Sequence, residues 1–583
     1  MNKRLILPAF LAAVVLGITG CTTETTSTDP SPSTSTSSAS SSATSSATAS
    51  ADSDLSAAAV LADDADATVV NDDEWSSEGA TGITLSGSTA SADGEGVTVD
   101  GSTVTITAAG VYRLSGTLAG RVVVSAPDDA LVVLILDGAT ITSDDSPAIE
   151  VVSADDAVVA LADGTQNSLS DAQSYDDSTQ ANAALYADVD LTITGTGALT
   201  VSGNGNDGIT STDDLVVLSG TITVDAADDG LRGKDSVTIR GGTLTVTSGG
   251  DGIKSDQDED ATAGYVLITG GTLTVEAGGD GITGETDVVI TGGQFHVVTG
   301  SGHQTQPSED VSTKGVKAGV ALVIEGGTLD VDSSDDAVHT NGSARIAGGT
   351  LTLASGDDAV HADAALIVDG GDITVSEAVE GLEGVDISIT NGTISLTTSD
   401  DGINAAGNTT TTGMGGGMGD TGETLTISGG TVTVDAQGDG LDSNGSLTIQ
   451  GGTVVVHGPT ASDNSALDAN GTLAIDGGTV IALGSAGMAE SPDSSSAQGW
   501  VMAQASGSAG STVRIQDADG TVLGEFTSSK AFSMVVYSSG AVVSGDQYTI
   551  SVDGSTTTAT AGQSAGGMGG GGGMGGGPGG RNG

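Results

Sequence analysis

Cysteine is all but missing. The single one, Cys21, leaves no possibility of an intramolecular disulfide. Aromatic residues make up 2% of the chain, and both tryptophans, Trp75 and Trp500, lie outside its regular region. Stacking of flat sugar rings on an exposed aromatic platform is therefore a minor route to recognition. Basic residues are scarce: 14 Lys+Arg stand against 77 Asp+Glu, for a net charge of −63. Such a field repels nucleic acid and anionic membrane surfaces and attracts cations. No Ser/His/Asp or Cys/His nucleophile pattern and no phosphate-cradling glycine loop is present. The longest apolar run of the leader, Leu5 to Val15, is too short for a comfortable membrane span.

What is there begins with a leader. Residues 1–20 carry Lys3 and Arg4, then the apolar run, then Ile18-Thr19-Gly20 before Cys21. This is the pattern of a lipoprotein signal peptide, which would leave Cys21 lipidated at the new N-terminus. The protein is then expected on the outer face of the cell membrane, touching the bilayer through its lipid alone. Residues 21–75 read as a disordered Ser/Thr-rich tether.

The rest is organised by a repeat. EGGTLDVDSSDDAVHTNGSARI and AGGTLTLASGDDAVHADAALIV run from Glu325 to Val368, and Gly327, Gly349 and Gly371 mark a 22-residue step. Short alternating runs such as Leu329/Val331 and Leu351/Leu353, broken by Gly, Asp and Ser, predict strands in a repeat architecture. An apolar fraction of 37% and this strict alternation exclude a disordered acidic chain for the middle region. The expected fold is all-β, a right-handed parallel β-helix (solenoid) with about 22-residue coils. Residues 76–190 are expected to form N-terminal cap strands and first coils, with Leu131 to Leu136 as a strand buried on both faces. Regular coils would occupy 191–510, a small antiparallel C-terminal cap 511–553, and a disordered Gly/Met-rich tail 554–583.

Nine residues after the second glycine of each uninterrupted coil stands an acid: Asp229, Asp251, Asp280, Asp336, Asp358, Glu380, Asp401 and Asp439, preceded by Asp207 in a less regular coil. The next position is always Gly or Ala, which points to close packing rather than to positive φ. Coils about 4.8 Å apart would stack these acids into one column. Unit charges at that distance repel by roughly 0.9 kcal/mol in water and roughly 3.5 kcal/mol at an effective dielectric near 20. Doubled acids, Asp335-Asp336, Asp357-Asp358 and Asp400-Asp401, sharpen the problem. Calcium, which takes six to eight oxygens, would relieve it; turn capping by the same carboxylates is the plainer reading. With no cysteine available and the histidines scattered along the chain, zinc is not expected. Asp256, Asp258 and Asp260 fall at EF-hand-like spacing, but Ala261 and Leu267 stand where Gly and Glu belong.

Three residues beyond each acid lies a second column, Arg232, Lys254, Thr283, Lys317, His339, His361, Glu383, Asn404 and Asp442. A basic and histidine strip beside a cation-holding strip suits a polymer of hydroxyls and carboxylates, so Arg232, Lys254, Lys317, His339 and His361 are candidate sugar ligands. Simple neutralisation of neighbouring acids, and a structural His339/His361 pair, are the competing readings. A lyase would need a lysine base beside calcium, for which Lys254, Lys314 and Lys317 are available.

The GGTLTV…GDGI unit, SDDAVH, VEGLEG, GDGLDSNG and the DLTITGTGALTV entry resemble the secreted carbohydrate-binding parallel β-helix family across roughly residues 80–550. Its members are described as binding cellulose and acidic sugars, carrying calcium, and resembling pectate lyases in fold. The resemblance implies calcium (Ca2+) at Asp335, Asp336, Asp357 and Asp358, with Glu380 and Glu383 added by position. The column extends the candidates to Asp251, Asp280, Asp400 and Asp401. Lys314-Gly315-Val316 and Ser465-Ala466-Leu467 depart from the motif. The function expected is that of a monomeric, non-catalytic, cell-surface binder of cellulose or acidic polysaccharide. A calcium-dependent pectate-type lyase and a structural surface adhesin are the alternatives.

Overall fold

The computed structural model describes residues 54–176, 178–307, 311–407 and 419–565. The leader, Cys21, most of the tether, part of the Gly/Met-rich loop and the end of the tail lie outside them.

Alternation becomes strands, and the strands form one long, mostly parallel sheet in which each pairs with its counterpart one repeat away. Three ladders result. The first runs through Thr221–Ala226, Thr243–Ser248, Thr328–Ser333 and Thr350–Ser355. The second is built from short strands such as Ile253–Ser255, Val316–Ala318 and Val338–Thr340, and the third from strands such as Asp287–Ile290 and Ala321–Ile324. The chain thus passes from ladder to ladder and stacks one repeat on the next. Between Thr328–Ser333 and Thr350–Ser355 the register is unshifted: Leu329 pairs with Leu351 and Val331 with Leu353, all buried. Each such leucine contributes about 1.5–3 kcal/mol by leaving water, while the intervening Asp330 and Thr352 face out. The second glycine of each pair turns the corner between third and first ladders with positive φ, +90° at Gly349. The glycine after each acid has none, and a Cβ on Gly252 would meet the Gly281 carbonyl oxygen at 2.5 Å.

Parallel pairing already links Thr81–Gly87 to Gly110–Ala119, inside the stretch expected to hold cap strands and first coils. At the other end the antiparallel cap spans Trp500–Gly507 to Ser555–Thr560, with its own core around Val513, Ile515 and Tyr537. Ser555–Thr560, placed in the tail by composition, pairs with Gln547–Val552 because its threonines suit an outer strand.

The stretch to residue 75 is folded from Asp54 onward. The short helix Ala57–Val60 packs with Leu55 on Val289, Ala321 and Val323, and Val70 packs on Val133, Ile135 and Val158. The Thr68 amide donates to Asp214 Oδ2 at 2.7 Å and the Tyr265 hydroxyl to the Ala65 carbonyl at 2.9 Å. This segment runs along the outside of the third ladder, from the coil of Val323 back to that of Val133. Its presence explains why Leu131–Thr142 is apolar on both faces, and why Asp287–Ile290 and Ala321–Ile324 lack alternation.

Asp64 is carried into this contact with neither carboxylate oxygen hydrogen-bonded. Burial, and then the charges of Asp287 and Asp63, push its pKa up to about 8. A raised folded-state pKa costs nothing below the unfolded value and increasingly more as pH climbs towards 8. Amide protection across residues 57–70, corrected for intrinsic exchange, is therefore expected to be stronger at pH 5 than at pH 8.5. Asp64→Asn should remove most of that difference; equal protection at both pH values in the wild-type chain would refute the account.

Candidate functional site

The acid column sits at the corner between first and second ladders. Asp207, Asp229, Asp280, Asp336 and Asp358 are all buried there, none more than 6% exposed. One oxygen of each acid commonly caps the backbone of the next coil. The Asp251 amide donates to Asp229 Oδ1 at 2.8 Å, that of Asp280 to Asp251 at 2.7 Å, that of Lys314 to Asp280 at 2.8 Å, and that of Asp358 to Asp336 at 3.0 Å. The corner peptide has left the ladder and lacks a carbonyl partner, so a carboxylate stacked one coil away supplies it. Turn capping is thus the column's first task.

The second oxygen meets the second column, whose members are in unbroken register from Arg232 through Lys254, Thr283, Lys317, His339, His361, Glu383 and Asn404 to Asp442. Lys254 Nζ lies 3.1 Å from Asp229 and 3.0 Å from Asp251, and Lys317 Nζ 2.9 Å from Asp280. Arg232 turns instead to Asp256 at 2.8 Å. Asp251 and Asp280, two of the acids expected to hold calcium, therefore have both oxygens engaged within the protein. Lys314, standing in the column itself, reaches Asp335 at 3.0 Å and Asp336 at 2.8 Å. Burial opposes the charge of Lys254 and Lys314, but their carboxylates outweigh it and raise both pKa values. A lysine held charged in this way is the reverse of a general base, and Lys317 is likewise paired. All three lysines expected as lyase bases thus sit in ion pairs.

Beyond Lys314 a cleft of about 500 Å3 opens, lined among others by Asp336, His339, Asp357, Asp358, His361, Glu380 and Glu383. The His339 and His361 rings, at matched offsets in consecutive coils, lie with centroids 5.0 Å from each other. His339 Nδ1 is 2.8 Å from Asp336 Oδ2, and His361 Nδ1 is 2.9 Å from Asp358 Oδ2 and 2.8 Å from Glu383 Oε2. Burial would raise Asp336, but the hydrogen bond from His339 and the charge of Lys314 hold it well below the usual carboxylate range. His361 is held charged by Asp358 and Glu383 against the burial that disfavours it.

At the far end the pattern changes. Asp439, Asp442 and Asp468 bring carboxylate oxygens within 4.8 Å of one another. Among the described residues none of these, nor Asp400 or Asp401, has a Lys, Arg or His partner. Burial, followed by neighbouring like charge, pushes Asp442 up to about 8; Asp439 rises to about 7 and Asp401 to about 6, each against one backbone hydrogen bond. Asn404, 8% exposed, donates its Nδ2 to Glu380 on the preceding coil at 2.8 Å. Its Oδ1 is buried with no hydrogen-bond partner, and on the next coil the residue in register with it is Asp442. Asp442 and Asp468 were not among the expected metal residues. Asp442 occupies a place that other coils give to Lys or His, which was a readable signal. Asp468 comes from the irregular coil at Ser465-Ala466-Leu467, where Leu467 bridges Leu441 and so brings Asp468 beside Asp442. The loop acids do not gather: Asp256 is taken by Arg232 and Asp260 by Thr262.

Comparison with known proteins gives the following. The family model described as carbohydrate-binding domain-containing protein matches residues 100–359 and 358–565. A carbohydrate-binding domain-containing protein of Acetivibrio thermocellus is 40% identical over 126 residues, 21% of this chain and 44% of the relative. The match thus spans less than half of that relative's length. A solved structure, the polysaccharide lyase-like protein from C. thermocellum as a gadolinium derivative, is 33% identical, covering 46% of this chain and 97% of its own, with a TM-score of 0.36.

Removing a cation from the ladder should expose its electrostatic cost. Lys254→Met leaves Asp229 and Asp251 facing each other, with side chains only 8% and 18% exposed. A loss of about 1–3 kcal/mol is expected, read as a lower denaturation midpoint. Adding Asp251→Asn should restore part of it, and an unchanged midpoint in Lys254→Met would contradict the assignment.

Proposed function

The chain belongs to the family of carbohydrate-binding domain-containing proteins, and from that premise we propose that it is a non-catalytic cell-surface binder of plant-type or acidic polysaccharide that employs calcium. Lipid attachment at Cys21, expected from the leader, would hold it on the outer face of the membrane. The three-ladder connectivity supports a right-handed parallel β-helix, since strand–crossover–strand connections take that hand in nearly all cases.

One observation carries the calcium reading: Asp439, Asp442 and Asp468 gather carboxylate oxygens with no protein cation among the described residues, and Asn404, in register with Asp442, has a buried Oδ1 without a partner. A buried acceptor left unpaired is unfavourable unless a donor or cation completes it. Asp439, Asp442 and Asp468, with Asp401 and Asn404 on the neighbouring coil, offer oxygen donors suited to a hard ion. Asp335, Asp336 and Asp357 form a second oxygen set, but Lys314 already serves it. When bound, calcium would supply coordination positions for sugar hydroxyls and carboxylates. The second column offers hydrogen bonds along the same face. Lys254 spends two ammonium donors on Asp229 and Asp251, and Lys317 two on Asp280 and Ser312, leaving one each for a sugar oxygen.

Two experiments test this reading. The raised pKa values of Asp401, Asp439 and Asp442 mean that acid protonates the ligands before the ion can bind. Calcium at about a hundred times its dissociation constant should add about 2.7 kcal/mol of stability at pH 8.5, and almost none at pH 5.5. Asp442→Asn should abolish the gain; identical melting midpoints in calcium and chelator at pH 8.5 would remove the metal from the proposal. For the sugar, the chain should be retained on polygalacturonate or cellulose, and retention on the acidic polymer should depend on calcium. Absence of retention on any plant polysaccharide, with a protein ligand found instead, would leave the adhesin reading in its place.

A further inference from the structure

The cleft of His339 and His361 has a chemistry that the hard-cation set lacks. Hard cations take oxygen; here two imidazole nitrogens converge on the same carboxylates. Ligand atoms of Asp336, His339 and His361 lie within 4.8 Å of one another, and so do those of Asp358, His361 and Glu383. His361 belongs to both groups and joins them.

The far side of each ring is anchored. His339 Nε2 is 3.0 Å from Asn341 Oδ1, and His361 Nε2 is 3.2 Å from Asp363 Oδ1. Each Nε2–H is held by an outer acceptor, which orients the ring as in metal-ligating histidines; Nδ1–H donates to the inner carboxylates, and an incoming metal ion would take the Nδ1 lone pair by displacing that proton to solvent. The device recurs in consecutive coils with the same spacing, His-Thr-Asn and His-Ala-Asp. Elsewhere in this column Lys254 and Lys317 hold charged ammonium groups against carboxylates and cannot ligate. Side chains of Asp336, Asp358 and His339 are 4%, 9% and 11% exposed, while the cleft keeps an entrance. Lys314 shares Asp336 Oδ2 and is the resident competitor for that oxygen.

We propose that His339, His361, Asp336, Asp358 and Glu383 form a binding site for a borderline divalent metal ion of the zinc class, separate from the calcium set. Nitrogen and oxygen donors together favour zinc, cobalt or nickel over calcium and magnesium. The proposal shares no ligand with Asp401, Asp439, Asp442 and Asp468, and it stands whether or not the chain binds polysaccharide.

Cobalt(II) is the probe. Tag-free full-length chain, stripped with chelator and kept in excess calcium, is titrated with Co2+. One equivalent should bind with visible d–d absorption and two paramagnetically shifted, exchangeable imidazole N–H resonances, and Zn2+ should displace it. His339→Gln/His361→Gln should weaken binding at least about 100-fold, and Asn341→Ala or Asp363→Ala about 10–100-fold, whereas Asp442→Asn should leave it unchanged. No cobalt binding above calcium competition overturns the proposal, as does bound cobalt without shifted imidazole resonances. Unaltered affinity in a folded double-histidine variant also overturns it. Should that variant fail to fold, the wild-type resonances decide alone.

Discussion

Everything in this protein follows from strand pairing between successive coils. Hydrogen bonds between backbones fix the coil spacing at about 4.8 Å, and register kept from coil to coil stacks equivalent repeat positions into columns. For Leu329 on Leu351 this is favourable, because like apolar side chains pack well. For Asp229 on Asp251 it forces equal charges together. The leucine stack holds the molecule together and the carboxylate stack is the strain it must answer.

The answer changes along the length. In the earlier coils one carboxylate oxygen caps a stranded amide and the other meets Lys254 or Lys317, so the charge is settled within the protein. In the middle Lys314 and two histidines take over, and the column opens into a cleft. At the corner of Asp401, Asp439 and Asp442 no cation is offered among the described residues, and partial burial with like charge raises the pKa values of half-buried Asp442 and Asp439. The same acid at the same offset is thus a cap, a counter-ion or an acid without a protein cation according to what stands one coil away. The proposed sugar recognition would have all three surfaces to draw on.

Much of this was legible in the chain. The 22-residue step, the two columns and the capping alternative for the acids follow from short-range patterns, as does the stacking of the histidines at matched offsets. Less legible was the segment after Asp54. Its Ala- and Asp-rich composition resembles a linker, and only the apolar outer face of strands such as Ala321–Ile324 betrays that something covers them. The role of Asp468 was hidden as well, because its coil breaks the repeat and counting from the glycine no longer finds it.

By itself, then, the amino-acid order determined the repeat, the strand alternation, the glycine corners and which residues share a column. These depend on neighbours within one coil, repeated many times. Only the tertiary structure decided which carboxylates are paired, which are capped and which are left open. A lysine's reach to the next coil, the docking of a distant N-terminal segment and the path of an irregular coil are contacts between residues tens to hundreds of positions apart. No local pattern encodes them.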